Sequence, residues 1–104
     1  MSHSDIRVSR NMLRVLKMMI EKPMTPYSGA DIARETGLGS GSLYPLLQRL
    51  EYAGWLKSEW ESVDPSQEGR PRRRFYTLTG HGQNCAVREL AELQTAAGVL
   101  AWKS

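Results

Sequence analysis

The stretch from Ser28 to Gly54, SGADIARETGLGSGSLYPLLQRLEYAG, decides the fold because it joins two helical patterns through a glycine-rich turn. Ser28 can cap the first helix, and Asp31 three residues later can complete a capping box. Gly37 can adopt the left-handed backbone conformation that commonly ends a helix. The stretch therefore predicts a helix, a tight turn and a second helix, which is the order of a helix-turn-helix.

The second helix of this pair has one apolar face. Four leucines recur on it at helical spacing: Leu43, Leu46, Leu47 and Leu50. Its regular part is predicted to begin near Ser42, because Pro45 fits best in the first turn, where the backbone amide has no partner within the helix. Ala53 and Gly54 are expected to end the helix. The leucine face should pack in the core and leave the other faces exposed.

Two further helices are predicted on either side of this unit. Ser9–Glu21 has apolar side chains at helical spacing, and the two prolines of Lys22–Tyr27 then predict a loop. The last segment, from about Thr79 to Trp102, repeats apolar residues at spacings of four and three: Ala86, Leu90, Leu93, Ala97 and Leu100. Such a seam is typical of a helix that packs against another helix, so we expect it to form a homodimer.

Two strands are predicted before the last helix. Trp55–Glu61 alternates imperfectly, and Arg72–Leu78 mixes aromatic and β-branched residues with arginine. The link Val63–Pro71 contains turn-forming residues, so the strands should form a hairpin with a long tip. The fold class is mainly α with a small antiparallel β-hairpin, a winged helix-turn-helix plus a C-terminal dimerisation helix. We expect a flexible N-terminal tail over residues 1–8, the winged domain over 9–80 and the dimerisation helix over 81–104.

The composition fits one small domain with a polyanionic partner. The 104 residues suit one core, and the net charge of +3 mildly favours a polyanion. Positive charge is concentrated in Arg70–Arg74, where four arginines surround one proline. The single cysteine, Cys85, excludes an intrachain disulfide and predicts a small buried side chain. No apolar run could cross a bilayer, and Met1–Asp5 lacks the hydrophobic stretch of a secretory signal, so we expect a cytoplasmic protein.

The second helix of a helix-turn-helix binds DNA because its first turns fit the major groove. Five candidate contact residues lie on or beside it: Ser40, Ser42, Tyr44, Gln48 and Arg49. Ser40 and Ser42 can contact phosphate, cap the helix, or do both. Tyr44 can contact phosphate or a thymine methyl group, or can pack on a neighbouring helix or on the dimer mate. For Tyr52 we favour packing on a neighbouring helix or on the dimer mate. Gln48 and Arg49 can reach bases or the DNA backbone.

The wing supplies three more candidates: Arg70, Arg72 and Arg73. Arginines at a wing can enter the minor groove or lie along phosphates, although a basic cluster can also be a solvated turn without a partner. We expect the strongest contacts from Arg70 and Arg72. Strand alternation sends Arg72 and Arg74 to one face of the hairpin and Arg73 to the other. One of these three is expected to pair with Glu59 or Glu61 across the hairpin.

Other kinds of site find little support in the sequence. The glycine-rich run Gly37–Ser42 follows a helix and lacks the Gly-Lys-Ser/Thr ending of a phosphate-binding loop. Glu59 and Glu61 lie on a wing, where no cleft is expected to raise a carboxyl pKa for catalysis. The two histidines, His3 and His81, do not assemble a metal site or a catalytic set. We therefore expect no enzymatic activity, no metal and no cofactor.

Two separated motifs resemble the PadR family of bacterial transcription regulators. Gly41–Gly54 resembles the family's recognition-helix signature, in which Leu-Tyr-Pro precedes Arg-Leu-Glu and Gly. Gly69–Thr79 resembles its wing strand, including Gly-Arg-Pro and Tyr-x-Leu-Thr. The resemblance spans roughly Val15–Gly82, and the remainder resembles the short subgroup with a single C-terminal dimerisation helix. It implies a repressor that occupies a palindromic operator as a homodimer.

The resemblance also implies an effector, since many members leave DNA when a small phenolic or aromatic compound binds. Some short members hold planar ligands between aromatic side chains at the dimer interface, where this chain has Leu90 and Leu93 instead. Trp102 is expected to anchor on the first helix of the other subunit rather than to stack on a ligand. The alternative function, from a different class, is a winged-helix module that binds protein and has no specific DNA binding.

Overall fold

The described residues form five helices and one small sheet. The computed structural model describes residues 6–103, with the backbone alone described for residues 93–103. In chain order the elements are α1 Arg10–Glu21, β1 Tyr27–Ser28, α2 Gly29–Thr36, α3 Ser40–Tyr52, β2 Leu56–Trp60, α4 Pro65–Glu68, β3 Arg74–Leu78 and α5 Gly80–Lys103. The predicted fold class, mainly α with a winged helix-turn-helix and a C-terminal helix, is confirmed.

The core lies between the first three helices and the sheet. Its largest fully buried side chains come from α1, α2, α3, β2 and α5: Met12, Val15, Leu16, Met19, Ile32, Leu43, Leu47, Leu50, Leu56 and Cys85. The predicted leucine face of α3 is therefore the core face, and Leu46 is also buried. Cys85 is a buried free thiol, as the sequence indicates.

The predicted capping of α2 is present at both ends. Ser28 Oγ accepts a hydrogen bond from the Asp31 amide at 3.0 Å, and the Ser28 amide donates to Asp31 Oδ2 at 3.2 Å. The hydrogen bond from the Ser28 backbone holds the pKa of Asp31 below its ordinary value. At the other end Gly37 has a φ of 76°, which is the left-handed region. The helix is therefore fixed at both ends before the turn into α3.

The predicted start of α3 near Ser42 is wrong. The helix begins at Ser40, and Gly39 occupies the N-cap position without a side-chain capping bond. The amides of Ser42 and Leu43 both donate to the Gly39 carbonyl, at 3.1 and 2.9 Å, so the first turn closes earlier. Pro45 consequently lies inside the helix, where its missing N–H removes one helical hydrogen bond.

The sheet has three strands, not the two predicted. β1 pairs antiparallel with β3, with Tyr27 opposite Tyr76 and Ser28 opposite Phe75. β2 pairs with the other edge of β3, so the strand order is β1-β3-β2. The predicted loop Lys22–Tyr27 therefore ends in a strand. This strand provides hydrogen-bond partners for the backbone at the second edge of β3. A two-residue strand is too short to show alternation in the sequence.

The wing also differs from the hairpin with a long tip that the sequence predicts. β3 begins at Arg74 rather than at residue 72, and the predicted link contains the short helix α4. The Asp64 side chain caps α4 by accepting from the Ser66 amide at 3.0 Å, and Gly69 ends it with a φ of 68°. The strand alternation predicted for Arg72 and Arg73 does not apply, because both residues precede the strand.

The last helix begins in close contact with the winged domain. A Cβ added at Gly82 would lie 2.0 Å from the Trp55 carbonyl oxygen, so only glycine fits there. Further along, Cys85 and Ala86 are buried in the core, so Ala86, which was predicted for the dimer seam, is already covered within its own protomer. Leu90 is half-buried and Val87 is exposed. The side chains of three other seam residues lie outside the described residues: Leu93, Ala97 and Leu100.

The N-terminal segment is not entirely a free tail. Ile6 and Val8 are partly buried and pack against the core, so the predicted tail over residues 1–8 is wrong for its last part. Residues 1–5, the side chain of Trp102 and the final serine lie outside the described residues. Within the described part, none of the helices combines the length and apolar character that a membrane crossing requires.

Candidate nucleic-acid interface

The face of α3 opposite its leucines is exposed. All five of the helix residues predicted to contact DNA are exposed: Ser40, Ser42, Tyr44, Gln48 and Arg49. Within the described chain the hydroxyl groups of Ser40 and Ser42 make no hydrogen bond, so the predicted capping role is absent and both hydroxyls are available. The N-terminal turn of α3 also presents backbone amides that have no helical partner, which favours an anion such as a phosphate.

Tyr44 leans from α3 onto the start of α2. A Cβ added at Gly29 would lie 2.7 Å from the Tyr44 hydroxyl oxygen and 2.8 Å from Cε1, so the ring rests directly on that glycine. Tyr44 remains 48% exposed, which leaves part of the ring and the hydroxyl group accessible. Tyr44 therefore packs on a neighbouring helix, and its predicted contact with DNA stays a prediction that its exposure permits.

Arg70 is held inside the wing by an acidic partner. Its guanidinium donates to both carboxylate oxygens of Glu61, at 2.7 and 3.1 Å, and the Arg73 backbone amide donates to the same carboxylate at 3.2 Å. The hydrogen bond from Arg70 lowers the pKa of Glu61, and the Arg73 amide lowers it further. Although Arg70 is one of the predicted DNA contacts, the structure places its charge in an ion pair that braces the wing.

The predicted pairing across the hairpin is wrong in its details. Glu61 pairs with Arg70, and Arg74 pairs with Glu51 of α3, with 3.3 Å between Nη2 and Oε2. Glu59 makes no ion pair within the described chain. Two wing arginines are thus neutralised by carboxylates.

Arg72 and Arg73 are the two wing arginines whose guanidinium groups form no ion pair among the described residues. Arg72 Nε donates to the Val63 carbonyl oxygen at 2.9 Å, which orients the side chain and leaves its charge uncompensated. Both side chains are exposed. The positive charge of the wing tip is therefore concentrated on these two residues.

Tyr44 of α3 and the arginines of the wing border one open cavity of about 580 Å³. Tyr44 lies on one side of it, the start of α2 lies next to Tyr44, and the run Arg70–Arg74 lies on the wing side. Trp60 also lines the cavity and is 60% exposed, although the sequence analysis did not select it. The only sequence feature that could have indicated Trp60 is a large aromatic residue near the end of a polar strand. Gln48 and Arg49 do not line this cavity.

A second cavity, of about 500 Å³, lies on the other side of α3. Ile6, Met12, Pro45 and Tyr52 line it, together with Gln48 and Arg49. Tyr52 is 92% exposed, so it does not pack on a helix of its own protomer. Packing on a dimer mate is the part of its predicted role that stays open. Among the described residues, no three His, Cys, Asp or Glu side chains form a group that could hold a metal ion.

An exposed recognition helix beside a cationic wing defines the class of winged helix-turn-helix DNA-binding proteins. Residues 15–88 match the Transcriptional regulator PadR-like family, and the chain belongs to this family. PadR proteins are transcription regulators and not enzymes, so the expected lack of an enzymatic activity agrees with the family.

Solved structures of other proteins share this fold. AbfR of Staphylococcus epidermidis is 30% identical, with a TM-score of 0.60, over 74% of this chain and 47% of AbfR. This chain thus spans about half the length of AbfR. A structure of reduced AbfR bound to DNA matches at 31% identity, with a TM-score of 0.60, over 74% of this chain and 48% of that one.

A PadR family transcriptional regulator from Eggerthella lenta DSM 2243 is similar over more of its length. It is 21% identical, with a TM-score of 0.69, over 88% of this chain and 81% of that chain. At this identity the likeness concerns the fold. A comparison with curated protein sequences found no match.

Proposed function

We propose that this chain represses transcription by binding a palindromic operator as a homodimer. In the proposed complex α3 enters the major groove, and Arg72 and Arg73 bind the adjacent minor groove or its phosphates. The observation that carries the proposal is that Tyr44 of α3 and the wing cations border one open cavity. The DNA complex of AbfR supports the proposal by family likeness. A DNA target would place the protein in the bacterial cytoplasm.

The proposed dimer forms through α5. A helix of 24 residues is about 36 Å long, which is more than its packing on α1 requires. We expect Leu93→Glu to produce monomers and to abolish operator binding at the same time, because two half-sites are read jointly. Analytical ultracentrifugation and a gel shift on the same sample test this. A variant that still forms dimers would contradict the proposed seam.

Release from DNA by a small aromatic or phenolic effector is the part of the proposal that rests on the family resemblance. Its test is a titration of such compounds into the preformed DNA complex, followed by fluorescence anisotropy. Dissociation at a concentration that leaves the protein folded would support an effector. An unchanged complex across phenolic and planar aromatic compounds would contradict this part and leave DNA binding in place.

The main experiment measures binding to the DNA upstream of the protein's own coding region at several salt concentrations. Arg72→Ala with Arg73→Ala should weaken binding and lower the log–log salt slope by about 3.6, since each of the two protomers loses two phosphate contacts and each neutralised phosphate contributes about 0.9. Arg14→Ala with Lys17→Ala is the matched control, because it removes the same charge from exposed residues of α1 that line a different cavity. Equal effects in both variants, or unchanged affinity in the wing variant, would favour the protein-binding module.

A further inference from the structure

A cluster of four side chains connects the recognition helix to the wing. The centre of the cluster is Arg74 on β3, which donates from Nε to Ser58 Oγ on β2 at 2.9 Å. Its Nη2 lies 3.4 and 3.3 Å from the two carboxylate oxygens of Glu51 on α3. Ser58 Oγ in turn donates to Glu51 Oε2, and the guanidinium lies 5.3 Å from the centre of the Trp60 ring. The cluster therefore joins α3 to both long strands of the wing.

The cluster is placed where it can control the angle between helix and wing. Glu51 is in the last turn of α3, and Arg74 is the first residue of β3, directly after the exposed arginines of the wing tip. The side chains of Arg74 and Glu51 are 40% and 32% exposed, so solvent weakens their attraction only in part. The planar guanidinium holds Ser58, Glu51 and the ring at once, which the compact ammonium group of lysine cannot do.

We propose that Arg74, held by Glu51, is a positioning residue that sets the distance between the recognition helix and Arg72 and Arg73. Arg74 itself does not contact the DNA in this proposal, whereas Arg72 and Arg73 do. This inference rests on the proposed DNA binding and names a residue that the sequence analysis did not select for it. Because the charges of Arg74 and Glu51 compensate each other, we expect the pair to set where the wing lies on the DNA and not to add charge to the interface.

The sign of the effect of Glu51→Met separates this role from simple electrostatics. Removal of a negative charge near DNA should strengthen binding if charge alone matters. If Glu51 positions the wing through Arg74, the same change should weaken binding about tenfold. The log–log salt slope should then fall by about 3.6, because the phosphate contacts of two arginines are lost in each of the two protomers. Methionine retains the length and the helix propensity of glutamate, so α3 is expected to stay intact.

Glu59→Met is the matched control. It removes the same charge from an exposed residue of β2 that makes no ion pair within the described chain. We expect unchanged or slightly tighter binding from it. Glu51→Gln should restore part of the affinity, since an amide oxygen can still accept hydrogen bonds from Ser58 and Arg74.

A second variant, Arg74→Lys, keeps the positive charge and removes the planar fork. A direct phosphate contact of Arg74 would leave the affinity and the salt slope near those of the wild type, whereas the positioning role predicts the same loss as Glu51→Met. In the Arg72→Ala and Arg73→Ala background, Glu51→Met should have no further effect, because the contacts it misplaces are already absent. Thermal melting of each variant shows that it is folded.

The outcomes separate the inference from the proposed function. A wild-type protein that fails to bind DNA would contradict both. A wild-type protein that binds, together with a Glu51→Met variant that binds equally well or more tightly, would overturn the positioning role alone. An additive effect of Glu51→Met in the double-alanine background would overturn it as well.

Discussion

Gly29→Ala should weaken DNA binding without weakening the fold. The added Cβ would lie 2.7 Å from the Tyr44 hydroxyl oxygen, so the ring must withdraw by about 0.7 Å to reach the ordinary contact distance of 3.4 Å. A hydrogen bond from that hydroxyl to a phosphate, normally about 2.7 Å long, does not survive such a displacement. Hydrogen bonds to charged groups contribute about 1.5–3 kcal/mol, so we expect binding to weaken about tenfold or more.

The fold should tolerate this change. The obstructing atoms belong to the far end of a flexible side chain, and alanine is more favourable than glycine in a helix by up to about 1 kcal/mol. Urea denaturation should therefore show equal or higher stability, while fluorescence anisotropy with operator DNA shows weaker binding. In a Tyr44→Ala background the Gly29→Ala substitution should leave DNA affinity unchanged. An equal loss in both backgrounds would refute the argument, because the loss would not pass through the tyrosine.

Two further predictions concern the frame around the site. Gly82→Ala should lower the free energy of unfolding by about 1–3 kcal/mol, because its Cβ meets the Trp55 carbonyl oxygen, whereas Gly80→Ala meets no atom within 4 Å and should not destabilise the protein. Equal urea midpoints for the two variants would contradict the close approach. NMR titration should give Glu61 a pKa below 4.5, which returns toward that value in Arg70→Ala. The stabilisation by this pair is thus present above pH 4.5 and is lost as the pH falls through the lowered pKa; a pKa unaffected by Arg70→Ala would contradict the brace.

The helix-turn-helix could be predicted from the sequence because its signals are local. The leucine spacing sets the buried face of α3, and the capping box and Gly37 set the limits of α2. The start of α3 was predicted two residues too late, because the rule for Pro45 assumes that a helix avoids an interior proline. Here the turn bonded to the Gly39 carbonyl closes first, and the helix tolerates one missing hydrogen bond.

The wing was harder to predict because its contacts join residues distant in sequence. Four adjacent arginines look equivalent in a sequence, and only their partners distinguish them. Glu61 lies nine residues before Arg70, and Glu51 lies 23 residues before Arg74. The spacing of residues in the sequence cannot reveal such pairs. Only the three-dimensional structure shows which wing arginines form no ion pair.

The last helix shows a related difficulty. A spacing of four and three identifies an apolar stripe and does not say which neighbour covers it. Ala86 belongs to the stripe, and the core of the same protomer already covers it. The stripe therefore serves the protomer core at its start, and the dimer proposal concerns its later residues.

Hydroxyl-radical footprinting of the upstream DNA tests most directly whether two copies read one palindromic site. Two symmetric protected patches, with centres about one helical turn or 34 Å apart, are expected, since each recognition helix covers one half-site. Both patches should disappear together in Leu93→Glu. A single protected patch bound by a monomer, or DNA without any protection at concentrations that saturate binding, would contradict the account.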